Sequence, residues 1–203
     1  MPRRGRPSAE ETRRRMTEVL KVARQEFVRN GYRATTLESI ASAAGVSKRS
    51  LYLWHADKAA LFLACVNEGA QRFPLLKIQA GADVRAALYD YSLELSQELA
   101  SEFSFGMGLL LLREGRDFPE LLTAALQGTI QFMVNPLAEY LRQHGLEEEN
   151  STDRARLLIS MILSDIHYSM LVGAPLPDYA RLQQHANLVV DIFLRGATID
   201  TRR

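Results

Sequence analysis

The sequence predicts an all-α fold, an N-terminal three-helix helix-turn-helix domain followed by a C-terminal helical bundle, and three observations carry that expectation. Apolar residues recur at helical spacing between Gly and Pro punctuation, and no run shows the alternation of a half-buried strand. The stretch from Thr35 to Lys58, TTLESIASAAGVSKRSLYLWHADK, reads as two short helices around a tight turn. Charge is unevenly divided: residues 1–60 hold 13 Lys/Arg against 6 Asp/Glu and residues 61–203 hold 12 against 18, within a net charge of +1. A basic head suits a phosphate backbone, and an acidic remainder is expected to face away from it.

Residues 1–7, MPRRGRP, form a basic arm with no core-forming side chain. Arg4-Gly5-Arg6-Pro7 is similar to the slim peptides that slide arginines into a narrow minor groove, and a merely solvated tail is an equal reading. The head is expected over residues 8–56. Ser8 and Glu11 have capping-box spacing, so a first helix starts there and runs to about Asn30, with Met16, Val19, Leu20, Ala23 and Phe27 inward and Gly31 closing it.

Thr35 and Glu38 repeat the capping-box spacing and start a second helix with Leu37, Ile40, Ala41 and Ala44 on one face. Gly45 ends it, and Ala41 is small where two steeply crossed helices meet. Ser47 caps a third helix whose inward residues are Val46 and Leu51, leaving Lys48, Arg49, Ser50 and Tyr52 outward. An ordinary antiparallel helix pair also shows Ala-x-x-x-Gly, but its outer face is rarely basic and hydroxylated.

The run from Arg13 to about Phe62 resembles the DNA-binding domain of the tetracycline-repressor (TetR) family of bacterial regulators. The likeness rests on Ala23 and Phe27, Gly31-Tyr32, Thr35-Thr36, Ile40-Ala41, Ala44-Gly45-Val46-Ser47, Leu51-Tyr52 and Asp57-Lys58. Arg49 stands where that family usually has a small residue, and His55 where it usually has Phe. Candidate DNA-facing residues are Thr35, Thr36, Ser47, Lys48, Arg49, Ser50, Tyr52, Trp54, His55 and Lys58, with Arg4 and Arg6 from the arm, and the resemblance assigns roles among them. It places phosphate contacts at Thr36, Ser50, Tyr52 and Lys58. At Arg49, guanine reading and a further phosphate contact are both open.

Residues 57–203 are expected to form the second domain, entered through a linking helix at 57–73 that Asp57 caps and Pro74 stops. Asp83 starts a helix to about Ser101. Phe105 to Leu112 is apolar on all sides and is expected at the centre of this domain. Pro119 opens a helix that Pro136 should kink or break, before Leu137, Tyr140 and Leu141 carry the pattern to Gly145. Glu114 to Leu121, EGRDFPEL, is similar to a stretch in the C-terminal domains of one TetR subgroup. Two further helices follow, one started by Ser151 or Thr152 and ended by Gly173, the other from Asp178 to about Gly196.

Their apolar stripes are wider than one core contact needs, and surplus apolar surface implies a partner. Leu157, Met161, Leu188 and Ile192 are therefore candidate dimer-interface residues, and the resemblance implies a two-fold four-helix contact. Coverage within one subunit is the alternative.

No catalytic, metal or phosphate-loop arrangement stands out. His55, His144, His167 and His185 lack metal-ligand spacing, and Gly106-Met107-Gly108 reads as a close helix contact. No cofactor, metal site or enzyme activity is expected. Cys65, the only cysteine, reads as a buried small hydrophobe. Apolar runs such as Met107 to Leu112 are too short to cross a bilayer, so the expectation is a cytoplasmic protein with no membrane partner.

Phe103, Phe105, Met107 and Phe132, with Met133, Tyr140, His167 and Met170, supply the apolar wall that small-molecule sites use, or else are simply core. The resemblance implies a small effector, and the few charges nearby favour an apolar or amphipathic one. The sequence reading is a repressor that binds a palindromic operator in double-stranded DNA as a homodimer. A structural DNA-binding protein that needs no effector is the alternative.

Overall fold

The computed structural model describes residues 8–76, 83–146 and 149–197. Ten α-helices and one π-turn make up the regular structure among them. Packing groups them into two compact units, one reaching to Glu68 and joined by Leu110–Ala125, the other holding Gly69–Leu109 and the chain from Leu126 on. The head thus includes residues far along the chain, which a division at residues 56 and 57 does not contain.

In the first unit α1 (Ala9–Ala34) begins as expected, with the Ser8 hydroxyl accepting from the Glu11 amide at 3.1 Å. Its helical geometry breaks at Gly31, where φ is +83°. Helix α2 (Leu37–Ala43) is capped by Thr36 and not by Thr35. The Thr36 hydroxyl accepts from the Ser39 amide at 3.0 Å and the Ser39 hydroxyl from the Thr36 amide at 3.2 Å, a complete capping box one residue later than the spacing suggested. Then come α3 (Lys48–Trp54) and α4 (Lys58–Ala70), with Asp57 accepting from the Ala60 amide at 2.8 Å. Val19, Ala23, Phe27, Ile40, Leu51, Leu61, Phe62 and Cys65 are buried in this unit. Phe27, Tyr32, Phe62 and Phe118 form an aromatic cluster with centroids 5.0–5.6 Å apart. Burial pushes the Cys65 thiol up to about 12, so the cysteine is an inert core residue.

In the second unit, α5 (Val84–Leu99) packs on α9 (Ser151–Val172) and α10 (Tyr179–Ala197), and α8 (Asn135–Gln143) packs on α9. Leu88, Tyr91 and Leu95 meet Leu137, Leu141, Leu158, Ile162, Val190 and Phe193 in one core. Polar links run along its edges: Arg85 donates to Asp191 at 2.8 Å, and Arg181 donates to Asp165 at 2.6 Å. The Arg181 guanidinium holds the Asp165 carboxyl below the usual carboxylate range.

Three expectations are corrected here. Helix α6 (Glu102–Glu114) is not the buried centre of the bundle, since Leu109 is 39% and Leu112 55% exposed and the chain changes unit at Leu110. Pro136 does not break the helical run, although a π-turn interrupts the α-helix just before it. Helix α7 (Pro119–Thr129) passes through a π-turn at Ile130–Val134 into α8, with the Asn135 amide bonding back to the Ile130 carbonyl. The wider turn spares the ring of Pro136 a clash with the carbonyl four residues back. Finally, α9 is by length and composition apolar enough to cross a membrane, with a mean hydropathy of 1.3 in its most apolar window, which the search for unbroken runs missed. Its buried Ala155, Leu158, Ile159, Ile162 and Ile166 make it a core helix of this unit.

Candidate nucleic-acid interface

The turn between α2 and α3 is closed by main-chain bonds, Ala44 to Ile40 at 2.8 Å and Val46 to Ala41 at 3.0 Å, with Gly45 at φ +65°. Ser47 caps α3 by accepting from the Ser50 amide at 3.0 Å. Leu51, fully buried, fixes which way the helix points. At about 100° per residue, Arg49 and Leu53 then lie opposite Leu51, Lys48 and Tyr52 on one flank, and Ser50 and Trp54 on the other.

Thr36, Ser47, Lys48, Arg49 and Tyr52 are exposed, and Ser50 and Trp54 are half-buried. The flank beside α2 is not free. Tyr52 donates to Glu38 Oε1 at 3.2 Å and Lys48 Nζ lies 3.7 Å from the same oxygen, so an acidic residue of α2 holds two candidate DNA contacts. The Ser47 and Ser50 hydroxyls bond each other at 2.8 Å. Arg49 makes no hydrogen bond or ion pair among the described residues. Leu53, which sequence reasoning passed over, is 82% exposed on the same face. Its position four residues after Arg49 was the available signal.

Three DNA-facing assignments are corrected. Thr35 is 1% exposed, and its hydroxyl donates to the carbonyl of Gly31 at 2.7 Å, closing the end of α1. His55 is buried behind α3, its Nε2 lacks a hydrogen-bond partner, and burial pulls its imidazole below the ordinary histidine value. It occupies a packing position where an aromatic hydrocarbon would do. Lys58 faces inward: Nζ donates to the carbonyls of Tyr32 at 2.7 Å and Thr35 at 3.0 Å and lies 4.2 Å from the centre of the Tyr32 ring. Burial pulls its ammonium below the usual lysine range, against the attraction of Glu114 and Glu120. Arg4 and Arg6 lie outside the described residues.

The expectation that acidic residues beyond position 60 stay away from the head also fails. Glu114, Asp117 and Glu120 belong to the head's unit. Glu114 accepts from the Arg33 amide at 2.8 Å, Asp117 pairs with the Arg33 guanidinium, and Glu120 accepts from the Tyr32 hydroxyl at 3.1 Å. Part of the head's positive charge is therefore consumed within the fold: Arg33, Lys58 and Arg24, which pairs with Glu68, are structural cations.

The candidate effector residues lie in the second unit. Met133 and Tyr140 belong to its packed core, Met107 is buried, and Phe103, Phe105, Phe132 and Met170 are half-buried. The Met170 thioether occupies the space a Cβ on Gly108 would take, which is the close helix contact expected of that glycine. His167 is exposed and not enclosed by the apolar helix that carries it. Of the dimer candidates, Leu157, Leu188 and Ile192 are 57%, 58% and 52% exposed and Met161 is half-buried. Among the described residues no cluster of His, Cys, Asp or Glu is arranged to hold a metal.

A basic, hydroxylated recognition helix set on a three-helix head, with an all-helical second unit behind it in the chain, defines a helix-turn-helix DNA-binding transcription regulator. Residues 19–65 match the family model described as bacterial regulatory proteins, tetR family. The chain is 26% identical over 168 residues to the HTH-type transcriptional regulator UidR of Escherichia coli K12, covering 81% of this chain and 84% of that one. It is 28% identical to a TetR transcriptional regulator of Agrobacterium tumefaciens, with a TM-score of 0.72 and coverage of 89% and 93%. A TetR-family structure from Mesorhizobium loti MAFF303099 shares the fold at 24% identity and a TM-score of 0.75, covering 91% and 97%. The chain thus carries the tetR-family DNA-binding region over residues 19–65, and the curated relative it matches is a transcriptional regulator.

Proposed function

We propose that this protein is a cytoplasmic repressor that binds a palindromic operator as a homodimer and is released by a small apolar or amphipathic effector. The observation that carries the DNA half of this reading is Arg49, an exposed arginine with no partner among the described residues, aimed away from the buried anchor Leu51. An arginine in that position reaches a guanine edge through two parallel hydrogen bonds, while Thr36, Ser47, Lys48 and Tyr52 around it suit phosphate. The exposed apolar stripe of Leu157, Leu188 and Ile192 supports pairing of α9 and α10 with a second copy. In a two-fold dimer the two recognition helices meet successive major grooves about 34–36 Å apart.

For the effector, support comes from the half-buried Phe103, Phe105, Phe132 and Met170 of the second unit, which carry no charge. Residues 57–203 are on this reading the effector-binding and dimerising part, with the helix beginning after Asp57 passing the signal on.

Selection of the purified protein against random duplex DNA tests the reading. Enrichment of one short palindrome bound by a dimer supports it, whereas uniform binding that depends on salt alone marks a structural DNA-binding protein instead. Ligands found by thermal shift are then scored for loss of operator affinity; a ligand that binds tightly and leaves that affinity unchanged rejects the release mechanism.

A further inference from the structure

The outer face of α3 is not wholly polar. Leu53 is 82% exposed, more than any other large apolar side chain of the described residues. A single exposed leucine is ordinary on a protein surface. This one stands at the middle of the face that Leu51 turns outward, one helical turn from Arg49. The neighbouring groups are engaged elsewhere, Lys48 and Tyr52 with Glu38, and Ser47 with Ser50. Arg49 and Leu53 are left as an adjoining cation and hydrocarbon, both free to enter whatever α3 meets.

We infer that Leu53 reads the C5-methyl group of a thymine in the major groove, beside the guanine taken by Arg49; this rests on the proposed DNA-reading role of α3. Leucine has neither donor nor acceptor, so it cannot favour one polar base edge over another. The apolar group that base pairs present in the major groove is the thymine methyl. Opposite an adenine, guanine or cytosine edge, Leu53 would strip water from a donor or acceptor and return nothing. The spacing adds a constraint. Four residues span about 6 Å of helix, and stacked bases are about 3.4 Å apart, so the thymine lies within about two base pairs of the guanine in each half-site.

The test uses the full chain and duplexes it selects from a random pool. Each thymine of one half-site is replaced in turn by deoxyuridine, which lacks only the methyl group, and every duplex is titrated with wild-type protein and with Leu53→Ala. One replacement within two base pairs of a selected guanine should lower wild-type affinity about fourfold, the equivalent of one buried methyl group. Leu53→Ala should bind the thymine and deoxyuridine duplexes alike, the signature of a direct pair in a double-mutant cycle. The inference is overturned if the selected half-site has no thymine there, if no replacement matters, or if the loss persists in Leu53→Ala. Failure of the underlying reading looks different, since then no sequence is enriched at all. Leu53 is too exposed for its truncation to unfold the head, and the melting temperature of Leu53→Ala checks that.

Discussion

The ammonium of Lys58 donates a 2.7 Å hydrogen bond to the carbonyl of Tyr32 while lying 4.2 Å above the ring of the same residue. One cation thus ties the start of α4 to the end of α1, and its contacts are inside the fold. Lys58→Met should therefore lower stability by about 1.5–3 kcal/mol, the range for charged hydrogen bonds, as read by urea denaturation. The slope of log DNA affinity against log salt should stay unchanged. A fall of one unit per head with normal stability would return Lys58 to the phosphate contacts.

Arg49→Ala should weaken binding to the selected operator by a factor of about 5 to 150, equivalent to ~1–3 kcal/mol, and weaken scrambled DNA far less. Preference should relax at one base pair in each half-site. Equal losses on both DNAs would make Arg49 a phosphate contact instead.

Glu38 restrains Lys48 and Tyr52 and presents a negative charge beside the recognition helix. Glu38→Gln should raise affinity for every duplex by up to about fivefold, since an exposed pair of this kind is weak and solvent-screened. The gain should shrink with added salt. Weaker binding in the variant would mean that Glu38 positions those side chains for the DNA.

His55 gives the head a pH dependence whose sign follows from its depressed folded-state value. Below the unfolded value of about 6.5 the unfolded chain binds the extra proton, so stability falls as pH drops through that value toward the folded one, by at most about 1.4 kcal/mol per pH unit. His55→Phe should abolish this and also remove the unpartnered Nε2. Its stabilising effect should be larger at pH 5 than at pH 8 in denaturant titrations. A constant difference across that range would assign the effect to packing alone.

Charges placed on the exposed stripe test the dimer. With Leu188 and Ile192 both changed to Glu, each unpaired carboxylate in a desolvated contact costs several kcal/mol, and the protein should sediment as a folded monomer at low micromolar concentration. A folded dimer in that variant would remove this interface.

The helical architecture was legible because its signals are local. Ser8, Ser47, Asp57 and Asp83 each cap the helix that follows, and Leu37, Ile40 and Leu51 face inward as their spacing requires. The interface was legible in part. Exposure of Lys48, Arg49 and Tyr52 follows from one helix alone, whereas Thr35 is set by the end of α1, and Lys58 by the end of α1 together with residues 110–125, more than 50 positions on from it in the chain. The cap falls on Thr36 and not on Thr35 because the Thr35 hydroxyl is taken by the carbonyl of Gly31. Charge counting failed at Glu114, Asp117 and Glu120 for the same reason, since composition does not say which acids fold back onto the head.

Gly31 has φ +83°, and the Glu114 carboxylate sits where its Cβ would be. These are separate objections to any side chain, one from the backbone and one from a neighbour. In a saturation library of this position, shortening Glu114 to Ala would relieve only the second. With ψ at 163° the backbone lies outside the left-handed helical basin that Asn and Asp tolerate, so Gly should remain the residue recovered at this position in both backgrounds. The need for glycine at position 31 is therefore set by the backbone first, and the carboxylate some 80 residues downstream only adds to it.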